Sequence, residues 1–314
     1  MKYTRLLLLF AGLLAGCVGH EQLETAVQPT PGIVVGDIEF SSDAGPIRGK
    51  VARVNLADAS VRVVVTAPLK ELASPGTAGL AEAKLLPTDL WAAEVYATQS
   101  AAARPRAMVA VNANYFSNTG GDKNYGTGVD ADVLGLSISD GVVVSPPREF
   151  GGIGDPALVI SRDPAGGLMA RIIRATDMDI AGALEAVAGI GGSDTDKASG
   201  TPLLTAGFAT AESARVAAAV RHPRTAAGVA DGGKTLVLVT IDGRQRGWSA
   251  GMTLPELAAV MRDQGCTDAI NLDGGGSTAF LFYDAEGKLM TNRPSEGKFR
   301  PVANHLGVIW TGGK

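Results

Sequence analysis

TLPELAAVMRDQGCTDAINLDGGGS, residues 253–277, is a helix, a strand and a glycine turn written end to end. Thr253 with Glu256 three residues on is a capping box, and Pro255 falls in the first turn, where its missing N–H costs nothing. Leu257, Val260 and Met261 share one helical face, and Gly265 ends the helix. Ala269 to Leu272 is a short apolar run that reads as a strand. Asp273 follows it, then Gly274, Gly275 and Gly276, then the hydroxyls Ser277 and Thr278. Successive glycine N–H groups can form a concave anion site, so the turn predicts an anion cradle beside a carboxylate. Its plain alternative is an acidic tight turn between two strands.

Outward from this stretch, short β-rich runs dominate. Lys50–Val54 and Val61–Val65, joined by Ala57-Asp58-Ala59-Ser60, read as a hairpin. Leu134–Ser139 and Val142–Ser145 flank Asp140-Gly141, a strong hairpin signal. Ala157–Ser161 pairs with Leu168–Ile173, and Phe280–Tyr283 with Leu289–Thr291. Lys234–Ile241 and Ala107–Val111 are further strands, and His305–Trp310 closes the domain. A second helix begins at Thr88, carries Trp91, Val95 and Tyr96, and stops before Arg104-Pro105. Hairpins mixed with two helices that each precede a strand predict an α+β fold: one domain over residues 35–314, with a mixed sheet and a few packed helices.

The first sixteen residues read as an export signal, with Lys2 and Arg5 before the apolar run Leu6–Leu14. Leu14-Ala15-Gly16-Cys17 resembles a bacterial lipobox, which makes Cys17 the lipidated first residue of the mature chain. Residues 17–34 read as a flexible tether. The expected location is the bacterial cell envelope, lipid-anchored, with Val18 favouring the outer membrane, facing the periplasm or the cell surface. Membrane contact is expected through that anchor alone. The formal net charge of −4 falls by two once Lys2 and Arg5 are removed. With no basic run, nucleic acid is not an expected partner. Cys266 then has no partner and reads as a buried apolar residue. His20, His222 and His305 are too few and too scattered for a histidine-rich metal centre.

Polar clusters fall at the ends of the strands. They are Asn112-Ala113-Asn114-Tyr115-Phe116, Arg221-His222-Pro223-Arg224-Thr225, Asp242-Gly243-Arg244-Gln245, Asp273 with its glycines, Asn292-Arg293-Pro294-Ser295-Glu296, and Arg300-Pro301-Val302-Ala303-Asn304. Taken singly, each has a bland reading as a turn or a solvated face. Taken together, they predict one anion-handling pocket.

In this order the motifs R-H-P-R-T-A, I-D-G-R-Q, G-M-T-L-P-E-L-A, N-L-D-G-G-G-S-T, N-R-P-S-E and R-P-V-A-N resemble the phosphodiester glycosidase family. V-N-A-N-Y-F at Val111 matches more thinly. The resemblance implies cleavage between a sugar anomeric carbon and a phosphate oxygen, on a glycosyl-1-phosphodiester or phosphorylated glycan. It places Asp273, Asp242 and Glu296 as catalytic carboxylates beside an oxocarbenium-like transition state. Arg221 or Arg224, with Arg293, Gly274, Gly275, Gly276 and Ser277, would hold the phosphate. Asn112, Asn114, Thr225, Asn292, Arg300 and Asn304 would bind the sugar. No cofactor is expected, and a divalent cation on Asp242, Asp273 and Asn271 is left open. Two other classes stay open: a non-catalytic module that binds phosphorylated glycan, and a metal-dependent phosphodiesterase. A serine hydrolase centred on Ser277 is weaker, because the elbow's last glycine is missing.

Overall fold

The structure, a computed structural model, describes residues 26–27, 32–69, 82–98, 107–118, 125–150, 153–174, 180–189, 202–210 and 217–312. The export signal, Cys17 and most of the tether lie outside the described residues. Ala26–Val27 pairs with Val35 and Gly36, and a strand already begins at Ile33, so ordered pairing starts upstream of residue 35.

Strand outweighs helix, 49% to 12%, so the α+β expectation holds only coarsely. Three larger sheets carry the fold. The first orders Ala26–Val27, Ile33–Ser42, Gly45–Asn55, Thr235–Ile241, Arg224–Ala230, Asp268–Asn271, Leu204–Thr205 and Phe208–Ala209. The second orders Leu289–Thr291, Phe280–Tyr283, Ala107–Asn112, His305–Trp310 and Val61–Val65. The third orders Val142–Ser145, Ser137–Ser139, Ala183–Ala188, Pro156–Arg162 and Leu168–Arg174.

Two expectations are corrected. The sheets are not mixed, since every pairing between described strands is antiparallel. The helix that precedes Asp268–Asn271 does link two strands of like direction, but Arg224–Ala230 lies between them and pairs antiparallel with both. Nor do Lys50–Val54 and Val61–Val65 form a hairpin. The first sits between Ile33–Ser42 and Thr235–Ile241, and the second joins His305–Trp310 in the other sheet. The Asp58 side chain holds that crossover, accepting from Ser60 N at 2.8 Å and Trp310 Nε1 at 2.9 Å.

Alternation along Thr235–Ile241 builds the layers. Leu236 and Leu238 face a central core shared with Val109, Val111, Phe280, Phe282, Leu306 and Val308 of the second sheet and Leu158 and Ile160 of the third. Val237, Val239 and Ile241 face the helix Leu254–Asp263, packing against Leu257, Val260 and Met261. Each such buried side chain contributes roughly 1.5–3 kcal/mol. The capping box is present, with Thr253 accepting from Glu256 N and Glu256 reaching back to Thr253 N. The helix Thr88–Thr98 covers the outer face of the second sheet through Trp91 and Ala92.

Candidate functional site

The site lies where strand ends of the first and second sheets meet. Leu272 N donates to Thr225 O at 2.8 Å, Asp273 N to Ala113 O at 2.9 Å, and Ala113 N to Asn304 O at 3.0 Å. These bonds join the ends of Asp268–Asn271, Ala107–Asn112 and His305–Trp310 and the start of Arg224–Ala230.

The amides expected to hold sugar are inside the protein. Asn112 Nδ2 donates to Asp273 O, and its Oδ1 accepts from Thr225 Oγ1 at 2.7 Å and Ala279 N at 3.1 Å. Asn114 donates to Leu134 O and Leu136 O, and its Oδ1 accepts from Ala188 N and Asn304 Nδ2. Asn304 also donates to Ser137 Oγ at 3.0 Å. Asn292 accepts from Phe280 N at 2.8 Å and donates to Asp242 at 3.0 Å. All five, counting Thr225, are buried. Their donors and acceptors are paired within the fold, which is what buried polar groups require. They clamp the strand ends rather than line an opening.

Asp273 is different. It is half-buried, and its Oδ1 accepts from Gly274 N at 2.8 Å. Burial pushes its carboxyl up to about 6, against hydrogen bonds from Ser277 and Gly274 and the charge of Arg300, which pull the other way. Tyr115 faces it. Burial first, then the Asp273 charge, raise the phenol above its ordinary value, while Arg224 and Asn271 act against that rise. Asn271 Nδ2 donates to Tyr115 Oη at 3.0 Å, whereas Asn271 Oδ1 and Thr278 Oγ1 are buried without a partner. This orphan acceptor and this orphan hydroxyl stand three positions before and two positions after the three glycines, so polar capacity beside the turn is unmet within the fold.

Two of the three glycine N–H groups expected to form a cradle are committed within the fold. Gly274 N is directed to Asp273 and Gly275 N to Pro223 O at 2.9 Å. The glycines instead let cations approach. Gly275 is left-handed (φ 63°), and a Cβ there would sit 3.2 Å from Arg244 Nη2. A Cβ on Gly276 would overlap the Arg300 guanidinium and a Glu296 carboxylate oxygen. Arg300 and Glu296 form an ion pair with each other, and Arg300 lies 4.7 Å over the Tyr125 ring. Arg244 donates to His222 Nδ1 at 3.1–3.3 Å. Burial, then Arg244 and Arg224, hold His222 below its usual pKa, so it accepts as a neutral ring.

The other expected phosphate ligands lie elsewhere. Arg224 is 3% exposed, with donors on Met252 O, Ala217 O and Val220 O at 2.8–3.0 Å. Arg221 pairs with Glu256 and Gly251 O. Asp242 is also 3% exposed, accepting from Trp248 Nε1 at 2.8 Å, Asn292 Nδ2 at 3.0 Å and Arg293 N at 3.2 Å. Burial raises its carboxyl, against the Trp248, Asn292 and Arg293 bonds. The Arg293 guanidinium is exposed, 5.1 Å from the Trp248 ring. Asp273, Ser277, Arg300 and Glu296 therefore gather at the turn, while Asp242, Arg221, Arg224 and the buried amides support it from behind. Tyr115, Arg244, His222 and Tyr125 had no assigned role in the sequence reading. Tyr115 and Arg244 were visible inside the quoted motifs, and Tyr125 carried no local signal.

Among the described residues no three His, Cys, Asp or Glu side chains cluster as a metal-holding group. The carboxylate oxygens of Asp242 are already aimed at N–H donors, which fits a cation ligand poorly. His305 is buried, stacked on Trp91 at 4.9 Å and bonded to Thr66 and Leu86 O. Cys266 is free and buried, its thiol pushed up to about 12, first by burial.

Residues 105–309 match the model of a family described as phosphodiester glycosidase. A relative from Bacillus subtilis, the SPbeta prophage-derived uncharacterized protein YomE, is 33% identical over 215 residues, 67% of this chain. The chain spans 29% of that relative's length. Among solved structures, the catalytic domain of zebrafish N-acetylglucosamine-1-phosphodiester alpha-N-acetylglucosaminidase, auto-inhibited by its pro-peptide, has a TM-score of 0.58 at 23% identity. That match covers 94% of this chain and 89% of that one. A hypothetical protein from Synechocystis has a TM-score of 0.53 at 17% identity, covering 92% of this chain and 64% of that one. Both likenesses are of fold.

Proposed function

Because this chain belongs to the phosphodiester glycosidase family, we propose that it hydrolyses the bond between a sugar anomeric carbon and a phosphodiester oxygen, with Asp273 at the anomeric carbon. One observation carries the assignment. A carboxyl raised to about 6 stands beside a turn whose glycines admit two guanidiniums, Arg244 and Arg300. In the reaction the C1–O bond to phosphate breaks, water's oxygen bonds to C1, and phosphate leaves as a monoester. A phosphate leaving group is a weak base, so cations assist it more than a proton does. Arg244 supplies charge that no carboxylate of the described residues pairs, and Arg300 adds its fork of donors. Ionised Asp273 stabilises positive charge growing at C1 and takes up a proton as water enters. In this reading Asp242, Asn112 and Asn292 position the turn without touching substrate, and Glu296 orients Arg300.

The substrate class is a phosphorylated glycan of the cell envelope, reached from a lipid anchor on Cys17. The lipobox-like Leu14-Ala15-Gly16-Cys17 motivates that placement. Incubation with a glycosyl-1-phosphodiester should release free sugar from the wild-type protein and none from Asp273→Asn. Retention of substrate without release by the wild type would make the chain a glycan-binding module instead.

A further inference from the structure

Cationic side chains continue beyond the turn in a direction that one phosphodiester does not need. Arg244 covers Gly275. Its neighbour Gln245 donates to Arg293 O at 2.9 Å. The Arg293 guanidinium lies 5.1 Å from the centre of the Trp248 ring, and the Arg48 guanidinium 4.1 Å from the same centre. Trp248 is therefore shared by two cations, and its indole N–H is anchored on buried Asp242. The loop that presents these groups is tied down. Gln245 and Ser249 exchange backbone bonds of 3.2 and 2.9 Å, and Arg244 is held at φ 58°. A side chain other than glycine in that region needs a surrounding structure that fixes it. Arg246 projects from the same loop and is exposed.

Among the described residues no carboxylate pairs with Arg244, Arg246 or Arg293, and Arg48 meets Glu39 only at 3.6 Å. The protein as a whole is acidic, with net charge −4, so this ridge of arginines is a local feature. A single phosphodiester carries one negative charge, and Arg244 with Arg300 already face it.

Resting on the hydrolase reading above, we infer that the substrate is an anionic polymer with phosphodiesters on successive repeats, and that Arg293, Arg246 and Arg48 hold phosphates beyond the one cleaved. The ridge is solvated, so its attraction is screened by salt. Each arginine contributes modestly, about two- to fivefold in affinity.

The test uses glycosyl-1-phosphate oligomers carrying one to four phosphodiesters. For the wild type, kcat/KM per bond should climb about tenfold or more from one phosphodiester to four at low salt, and flatten at high salt. Arg48→Ala/Arg246→Ala should cut that climb to the roughly two- to fivefold left to Arg293 and leave the single diester unchanged, since the side chains nearest Gly275 and Gly276 are Arg244, Arg300 and Glu296. Calorimetric binding of the same oligomers to Asp273→Asn reads the ridge without turnover. Affinity that rises with phosphate number, and rises less steeply once Arg48 and Arg246 are removed, supports the ridge even where no sugar is released. Affinity and rate independent of phosphate number overturn it. So does a double variant that weakens the single diester and the oligomer equally.

Discussion

The Arg300 guanidinium occupies the space where a side chain on residue 276 would begin. The glycine there is thus a hole shaped for a cation, and the cation in turn opposes part of the rise that burial imposes on the carboxyl of Asp273 three residues upstream. The triple glycine reads as a turn in the sequence, but its use in the fold is close approach.

Gly276→Ala should therefore act on chemistry more than on folding. The new methyl displaces Arg300 and Glu296, whose far ends are flexible enough to yield. We expect kcat/KM on a glycosyl-1-phosphodiester to fall by about tenfold or more, the scale of one charged hydrogen bond, with little change in melting temperature. Full activity in Gly276→Ala would mean that Arg300 does not serve the phosphate from its present position.

Two arginines of neighbouring motifs should behave oppositely. Arg224→Ala removes a buried guanidinium that ties Met252 O, Ala217 O and Val220 O together. It should lower stability by about 2 kcal/mol or more, seen as a drop in the denaturant midpoint. Arg244→Ala should leave the midpoint alone and raise KM about tenfold or more, because its guanidinium lies over the turn. The reverse pattern would return the phosphate to Arg224.

Asp273 sets the pH dependence. Its folded carboxyl is raised from 3.8 to about 6, so kcat/KM should fall as pH drops through about 6, following one proton. Stability moves in the opposite sense. A raised carboxyl holds its proton more tightly in the folded state, so ionising it costs stability as pH rises from about 4 to 6. Asp273→Asn should thus melt higher than the wild type above pH 6, and the difference should vanish toward pH 4. Activity that rises as pH falls below 6 would assign the protonated form the chemical role.

The export reading gives a separate expectation. In a bacterial host, Cys17→Ser should abolish labelling by a radioactive fatty acid and move the protein from the membrane fraction to the soluble fraction. Membrane retention equal to the wild type would remove Cys17 as the anchor.

Much of the fold was legible because its strands obey local rules. Asp140-Gly141 adopts the left-handed pair (φ 51° and 77°) that a tight hairpin needs, and Phe280–Tyr283 and His305–Trp310 occur with the predicted limits. The strand Arg224–Ala230 was hidden by its composition. Ala226 and Gly228 are small because the helix packs close, and a Cβ on Gly228 would lie 2.6 Å from Cys266 Sγ and Met261 Cε. Strand propensity does not register a constraint set by a neighbour so distant in sequence. The site was legible as a place but not as a list of roles. An asparagine that binds sugar and one that binds the fold look identical in a sequence, and only long-range pairing turns Asn112, Asn114 and Asn304 inward. Asn271 emerges for the opposite reason, since its Oδ1 finds no partner.

Hydrolysis of a glycosyl-1-phosphodiester in water enriched in heavy oxygen, followed by mass spectrometry of both products, reports which bond breaks. Water attack at the anomeric carbon beside Asp273 places the label in the released sugar and leaves the phosphate monoester unlabelled. Label in the phosphate, with none in the sugar, would contradict it.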